Sequence, residues 1–340
     1  LPIRLSFSGS LFEAASSTMM RCLRISFLAA LLKPCALAYR VSVSRVKVTS
    51  PLRTSMSMKD ATPSVSVTVL GGTGFVGSRV CRSLVGAGAS VRSVSKSGRV
   101  PDWCSGESWV SEVEWIDNEL TRGSREGLRE AVGSPDSVVS CVGAIGADVQ
   151  SLLVGNGVAN SEAAAACKGA GVKKFVFVSV ASEVSDCASW TPYYMKDGYF
   201  KGKADAEAAI VGAVGAENAH FVRPSFIYGG DSFGLFPPRV NVGYGSAVEE
   251  ILSKGFFGTL ADVLPGLIGV AFRPPVSVDA VAAACSGCAM GNIADNVLDG
   301  TAAINAATGQ LAATGLTDFL DFAKEKAGDL QAKAKELQEG

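Results

Sequence analysis

From about residue 64 the chain alternates between short apolar runs and stretches whose apolar residues recur every three or four positions. The apolar runs fall near 64–70, 89–95, 112–116, 137–142, 173–180 and 219–223, and they predict strands. The helical periods fall between them, near 75–87, 124–132, 150–170 and 192–213. Strands that alternate with helices predict an α/β fold, a doubly wound parallel sheet with helices on both faces. Residues 229–275 break the rhythm with Gly, Pro and aromatics, and predict a small substrate-side lobe. Farther on, Leu316, Leu320, Ala323, Ala327, Leu330, Ala334 and Leu337 form one apolar stripe at helical spacing, with Phe319 and Phe322 beside it. This helix has two uses open to it, docking back on the body or binding a partner.

These patterns divide the chain into a leader (1–60), a main domain (61–300) with the lobe around 229–275, and a helical C-terminal tail (301–340). The leader differs in charge. It holds nine of the 31 Lys/Arg and two of the 32 Asp/Glu, so the remainder is net acidic. An acidic body argues against nucleic-acid binding, which needs a basic face. From Met20 the order is basic, apolar (Ile25 to Leu32), then Ala36-Leu37-Ala38, as in a signal peptide with a small-residue cleavage site. The stretch from Tyr39 to Lys59 is rich in Ser, Thr and Arg and has no acid, which is transit-peptide composition. Such a two-part leader resembles those of red-lineage secondary plastids, and a mitochondrial presequence is the second choice. The apolar run ends at Lys33-Pro34 and is too short to span a bilayer. Hydrophobic content of 48% with 19% charge fits a packed globular body. The nine Cys show no pairing framework, and Cys285-x-x-Cys288 has neither a second pair nor a nearby His, so the chain predicts no metal site.

The chemistry gathers at strand ends. Gly71-Gly72-Thr73-Gly74-Phe75-Val76-Gly77 follows the first strand and opens the first helix. Glycines there let the turn bend and a pyrophosphate approach the backbone, where helix N–H groups receive it. The sheet is therefore expected to be Rossmann-like. The second strand ends Ser95-Lys96-Ser97-Gly98-Arg99, without the acid that would bond a ribose 2′-hydroxyl. Lys96 and Arg99 would attract a 2′-phosphate, with Ser95 beside them, so NADP(H) is the expected cofactor and NAD(H) the second choice. Tyr199 and Lys203 stand four apart and share one helix face. A nearby ammonium would lower the pKa of the phenol and let it pass a proton to a carbonyl oxygen.

Taken in order, the glycine turn, Ser140-Cys141-Val142-Gly143, Tyr199-x-x-x-Lys203 and Arg223-Pro-Ser-Phe-Ile-Tyr-Gly229 resemble the extended and atypical short-chain dehydrogenase/reductase family over roughly residues 64–300. Within it the chain looks most like plastid plastoglobule-type Rossmann proteins, coenzyme Q biosynthesis proteins and the NADPH-binding accessory subunit of complex I. The resemblance implies that residues 71–77 hold the pyrophosphate, that Cys141, Val142 and Gly143 line the cofactor, that Lys203 holds the nicotinamide ribose and that Tyr199 is the acid–base. It also implies a late strand within Pro274 to Ala280 that closes the lobe. The family's catalytic Ser or Thr falls by spacing on Ala181, flanked by Ser179 and Ser182. Either serine is a candidate helper, and failing both, the site lacks that hydrogen bond.

Residues 255–272 carry one charge, Asp262, among Phe256, Phe257, Leu260, Leu264, Leu267, Ile268 and Phe272. The segment reads as lobe core, as an apolar mouth for a lipophilic substrate, or as a point of peripheral membrane or complex association. Three functions follow as expectations: an NADP(H)-dependent oxidoreductase on a lipophilic carbonyl or quinone-related substrate, a non-catalytic NADPH-binding accessory subunit, and, third, an epimerase or dehydratase.

Overall fold

The structure is a computed structural model that describes residues 65–313, apart from 123, 231–233, 236–237 and 265. By internal contacts the chain divides into Leu1–Lys59 and Asp60–Gly340. The expected leader and the apolar stripe at 316–337 lie outside the described residues.

In chain order the strands are β1 (Ser66–Leu70), β2 (Ser90–Ser95), β3 (Val113–Asp117), β4 (Ser137–Ser140), β5 (Lys174–Val178), β6 (Ala219–Arg223), β7 (Ile227–Tyr228), β8 (Gly234–Leu235), β9 (Pro238–Arg239), β10 (Val276–Ser277) and β11 (Val297–Asp299). The helices are α1 (Gly77–Gly86), α2 (Arg125–Val132), α3 (Val149–Leu153), α4 (Ala159–Ala170), α5 (Ser182–Ser185), α6 (Lys201–Val214), α7 (Val242–Leu252), α8 (Gly255–Val263), α9 (Gly266–Val270), α10 (Val278–Met290) and α11 (Gly300–Ala313). Two π-helical turns, Val154–Val158 and Met195–Phe200, precede α4 and α6.

Seven strands form one parallel sheet in the order β11-β6-β5-β4-β1-β2-β3. Leu70 of β1 pairs with Val94 of β2 on one side and Ser140 of β4 on the other. Strand order reverses between β1 and β4, and that reversal opens a crevice at their carboxyl ends. The expected α/β doubly wound architecture is the one observed.

Period-two alternation sends successive side chains to opposite cores. In β5, Val176 and Val178 join Val67, Val69, Val80, Leu84, Val222 and Val281 beneath α1 and α10. Phe175 and Phe177 join Leu70, Val94, Leu128, Val132 and Ile210 beneath α2, α4 and α6. Helix starts are set by local polar residues: Ser124, Asp148, Asn241 and Ser277 cap α2, α3, α7 and α10 through their side chains.

The structure differs from the sequence reading in several places. Strand β4 stops at Ser140, since the next residues turn away and are held by buried asparagines. The helix expected over 192–213 opens at Tyr193 and Tyr194 and runs through a π-turn from Met195 to Phe200 before α6. Strand β11 is three residues long, too short to leave a periodic signal. Within the expected tail, α11 packs on α10 and buries Thr301, Ile304 and Ala307. The late strand expected within 274–280 is β10, and it pairs with β7 at the base of the lobe.

A candidate nucleotide and active site at the strand ends

The glycine turn lies at the crevice. Gly71 has φ +77°, a conformation open to glycine, and its N–H donates to Val94 O at 2.8 Å. A Cβ on Gly77 would stand 2.1 Å from Gly71 O, so the start of α1 presses directly on the turn. Unlike α2, α3, α7 and α10, helix α1 has no side-chain cap, and its first turn holds no acid. Ser78 N and Arg79 N donate back to Gly74 O and Val76 O at 3.0 Å, so the turn ahead of them is a tight all-backbone cradle at a helix N-terminus, which fits a pyrophosphate. Thr73, Phe75 and Val76 are partly buried around it and Gly74 is exposed, while Gly72 is buried against Ser93.

Beside the turn runs the loop after β4. Cys141 N donates to Leu70 O at 2.9 Å, and a Cβ on Gly71 would meet the Cys141 carbonyl carbon and Val142 at 3.3 Å. Two asparagines absent from the sequence reading shape this loop. Asn156 is fully buried; its amide accepts from Ala144 N (3.2 Å) and donates to Ala144 O (3.0 Å). Asn160, equally buried, donates to Val142 O at 3.3 Å and pairs with Ser140 Oγ at 2.5 Å. Their signal was two amides at i, i+4 in an otherwise small and apolar helix, where a polar residue needs a buried partner.

Lys203 reaches the same place from α6. The helix comes close because Gly157 and Gly202 face each other: a Cβ on Gly157 would lie 3.1 Å from Gly202 Cα. Lys203 is buried, donates to Val178 O at 2.8 Å and lies 4.6 Å from the Phe177 ring centroid. Its Nζ would be 3.4 Å from a Cβ on Gly143, so the loop after β4 and the lysine meet. The Tyr199 ring centroid is 6.0 Å from this ammonium. Among the described residues the Tyr199 hydroxyl has no hydrogen-bond partner, which leaves it available to a ligand. Burial governs both pKa values. It pulls Lys203 down to about 8 and pushes Tyr199 up to about 12. The expectation that the ammonium would lower the phenol's pKa is thus corrected for the ligand-free site: at this separation loss of water outweighs the charge.

The neighbouring serines are placed differently from each other. Ser179 is buried at the end of β5, its N–H on Val222 O. The Ser182 hydroxyl donates to Asp299 in a very short hydrogen bond and accepts from Arg223 Nη1 at 3.3 Å. Arg223 in turn pairs with Glu207, through Nε at 2.9 Å, and with Asp299 at 3.3 Å. Ser182 is therefore engaged in a network that ties α5, β6, α6 and β11 together. Ala181 is fully buried and brings no hydroxyl. His220 contacts Asp295 O at 3.0 Å inside β6, and burial lowers its pKa, as for a packed histidine.

At the end of β2, Ser95 is buried and Lys96 and Arg99 are exposed beside the crevice. Lys96 pairs with Glu119, beyond the end of β3, at 3.2 Å. The glycine turn, the β4 loop, Lys203, Tyr199 and the basic turn thus share one edge of the sheet. Cys285 and Cys288 are buried thiols within α10 with raised pKa values, and among the described residues no group of three or more potential ligands can hold a metal. Among the same residues no helix is long and apolar enough to cross a membrane.

Known proteins give the same frame. Residues 67–242, slightly more than half the chain, match the model of the NAD dependent epimerase/dehydratase family. A chloroplastic uncharacterised protein of Arabidopsis thaliana is 36% identical over 163 residues, 48% of this chain and 51% of that protein. MIOREX complex component 2 of Saccharomyces cerevisiae is 32% identical over 77 residues, 22% of this chain and 27% of that protein. The matched region thus spans about half of the plant relative and about a quarter of the yeast one. Among solved structures, the Bordetella bronchiseptica enzyme WbmH in complex with NAD+ is 16% identical, with 69% of this chain and 75% of that chain covered and a TM-score of 0.45. An epimerase-like protein from Burkholderia cenocepacia is 18% identical, with coverages of 74% and 82% and a TM-score of 0.44. The parallel sheet, the uncapped helix at its glycine turn and the family match meet in one conclusion: the chain belongs to the NAD dependent epimerase/dehydratase family.

Proposed function

We propose that the chain is an NADP(H)-dependent oxidoreductase acting on a lipophilic carbonyl or quinone-related substrate. The observation that carries this reading is the Tyr199–Lys203 pair, seated against Gly143 at the edge that also holds the glycine turn. When bound, a dihydronicotinamide would supply the hydride that a carbonyl reduction needs. Tyr199 then gives its phenolic proton to the carbonyl oxygen, and the product is an alcohol. Lys203 does two things: it stabilises the phenolate left behind and donates to ribose hydroxyls of the cofactor. Residues 71–77 would hold the pyrophosphate, Cys141 to Gly143 would line the cofactor, and Ser179 is the remaining candidate helper hydroxyl. Lys96 and Arg99, with Ser95 near them, support a 2′-phosphate and hence NADP(H).

The apolar substrate class rests on the lobe. Trp190 and Tyr193 on the loop before Tyr199, and Phe256 and Val263 on α8, are all more than half exposed. A Cβ on Gly266 would lie 2.6 Å from the Trp190 ring, so α9 and this loop share one rim. Exposed aromatic and apolar side chains on such a rim suit a lipophilic molecule. The same rim serves peripheral membrane or complex association. The chloroplastic relative supports a plastid address, with the mitochondrion second.

One observation favours a second reading, an NADPH-binding accessory subunit. Position 181 lacks a hydroxyl and Ser182 is committed to Asp299. The yeast relative, by its name, is a component of a complex. Epimerase or dehydratase chemistry remains the third reading, on family membership. The test is to identify the nucleotide that co-purifies, then follow NADPH oxidation with apolar aldehydes, ketones and short-chain quinones. Turnover that Tyr199→Phe abolishes supports the enzyme. Turnover untouched by Tyr199→Phe sinks the mechanism, and tight NADPH that none of these substrates oxidises favours the accessory reading.

A further inference from the structure

At the exits of β2 and β3 two cations meet one carboxylate. Asn118 N donates to Ser95 O at 2.9 Å, which brings the residues after β3 beside the basic turn. Glu119 Oε1 holds Lys96 Nζ at 3.2 Å and its Oε2 holds Arg122 Nε at 3.5 Å. The members differ in freedom. The Glu119 side chain is 27% exposed, whereas those of Lys96 and Arg122 are 74% and 78% exposed. Arg99 has no carboxylate within ion-pair distance among the described residues. The carboxylate is thus the more buried partner and the cations the more exposed ones.

We infer that Glu119 is a specificity-determining residue that restrains discrimination between the two nicotinamide dinucleotides, by holding Lys96 away from a 2′-phosphate and by repelling that phosphate. The inference rests on the NADP(H) reading. A ribose 2′-hydroxyl is neutral, so it neither needs Lys96 nor meets repulsion from Glu119. A 2′-phosphate carries close to two negative charges near pH 7 and suffers both effects. Exposed ion pairs are weak, so the effect is a few-fold and screened by salt.

The test measures Kd for NADPH and for NADH by nucleotide fluorescence on the full chain, at low and at high salt. Glu119→Gln is isosteric and sits at the surface. It is expected to raise the ratio of NADH Kd to NADPH Kd about two- to fivefold at low salt, and the gain shrinks at high salt. In a Lys96→Met background the same substitution has at most half that effect, a coupling that a merely structural role of Glu119 would not produce. If the wild type prefers NADPH and Glu119→Gln leaves the ratio unchanged or lowers it, the inference is overturned while the NADP(H) reading stands. If the wild type binds NADH as tightly as NADPH, that reading fails, and the inference falls with it.

Discussion

Lys203 shows how burial and charge compete within one side chain. It is held near 8, against an ordinary value of 10.5. Between those values the unfolded chain binds a proton that the folded chain does not, so this group makes stability rise with pH through that window. Tyr199 acts in the opposite sense, but only above its ordinary value of 10.0. Denaturant titrations from pH 8 to 10 should therefore show the stability of Lys203→Met relative to wild type falling by roughly 2–3 kcal/mol. A flat difference would show that the ammonium is better solvated than its burial implies. Gly77 is a second residue with a sharp expectation. Its missing Cβ is what lets α1 sit on Gly71 O, so Gly77→Ala should lower nucleotide affinity at least tenfold by calorimetry and lower the melting temperature as well.

Among the elements, β11 has a role beyond its length. Through Asp299 it fastens the loop after β5 by both Ser182 N–H (2.9 Å) and the Ser182 hydroxyl, and it fastens Arg223 as well. Asp299→Ala removes these at once. The pair is partly open to water, so a loss of about 1–2 kcal/mol is expected in urea titrations, with looser protection of amides 179–185 in hydrogen exchange. The lobe is attached by a similar device on the other side. Arg273 bridges Glu183 of α5 (2.8 Å) and Asp262 of α8 (2.7 Å), so the apolar helix α8 is bound to the loop that borders the candidate site. Helix α10 starts on a side-chain cap, Ser277 Oγ to Ala280 N at 3.0 Å, and Ser277→Ala should cost about 1 kcal/mol.

For the molecule as a whole, cofactor binding and folding are one equilibrium. Anything that binds the folded chain alone raises its stability, by about 2.7 kcal/mol at a concentration of 100 Kd. For a body of this size that shifts the melting temperature upward by about 5 °C or more. NADPH should therefore produce a larger thermal shift than NADH at equal concentration, and Gly77→Ala should remove both shifts. Equal shifts from the two dinucleotides would count against the basic turn as a phosphate site.

The first six strands and the helices between them were legible because each carries a local period and each buries what that period predicts. So was the glycine turn, since its mechanism needs only neighbours in the chain. Chain order alone settled that Lys203 follows Tyr199 by one helical turn. What lay beyond the sequence were contacts between residues far apart along it. Asn156 and Asn160 shape the β4 loop, Asp299 engages Ser182 across 117 residues, and Glu119 pairs with Lys96 because β3 lies beside β2. The depth of Lys203 and Tyr199 was likewise hidden, and it reversed the expected shift of the phenol. Local patterns specify which face of an element is apolar. Only the packed sheet decides which polar groups lose their water, and pKa values, committed hydroxyls and free cations all follow from that loss.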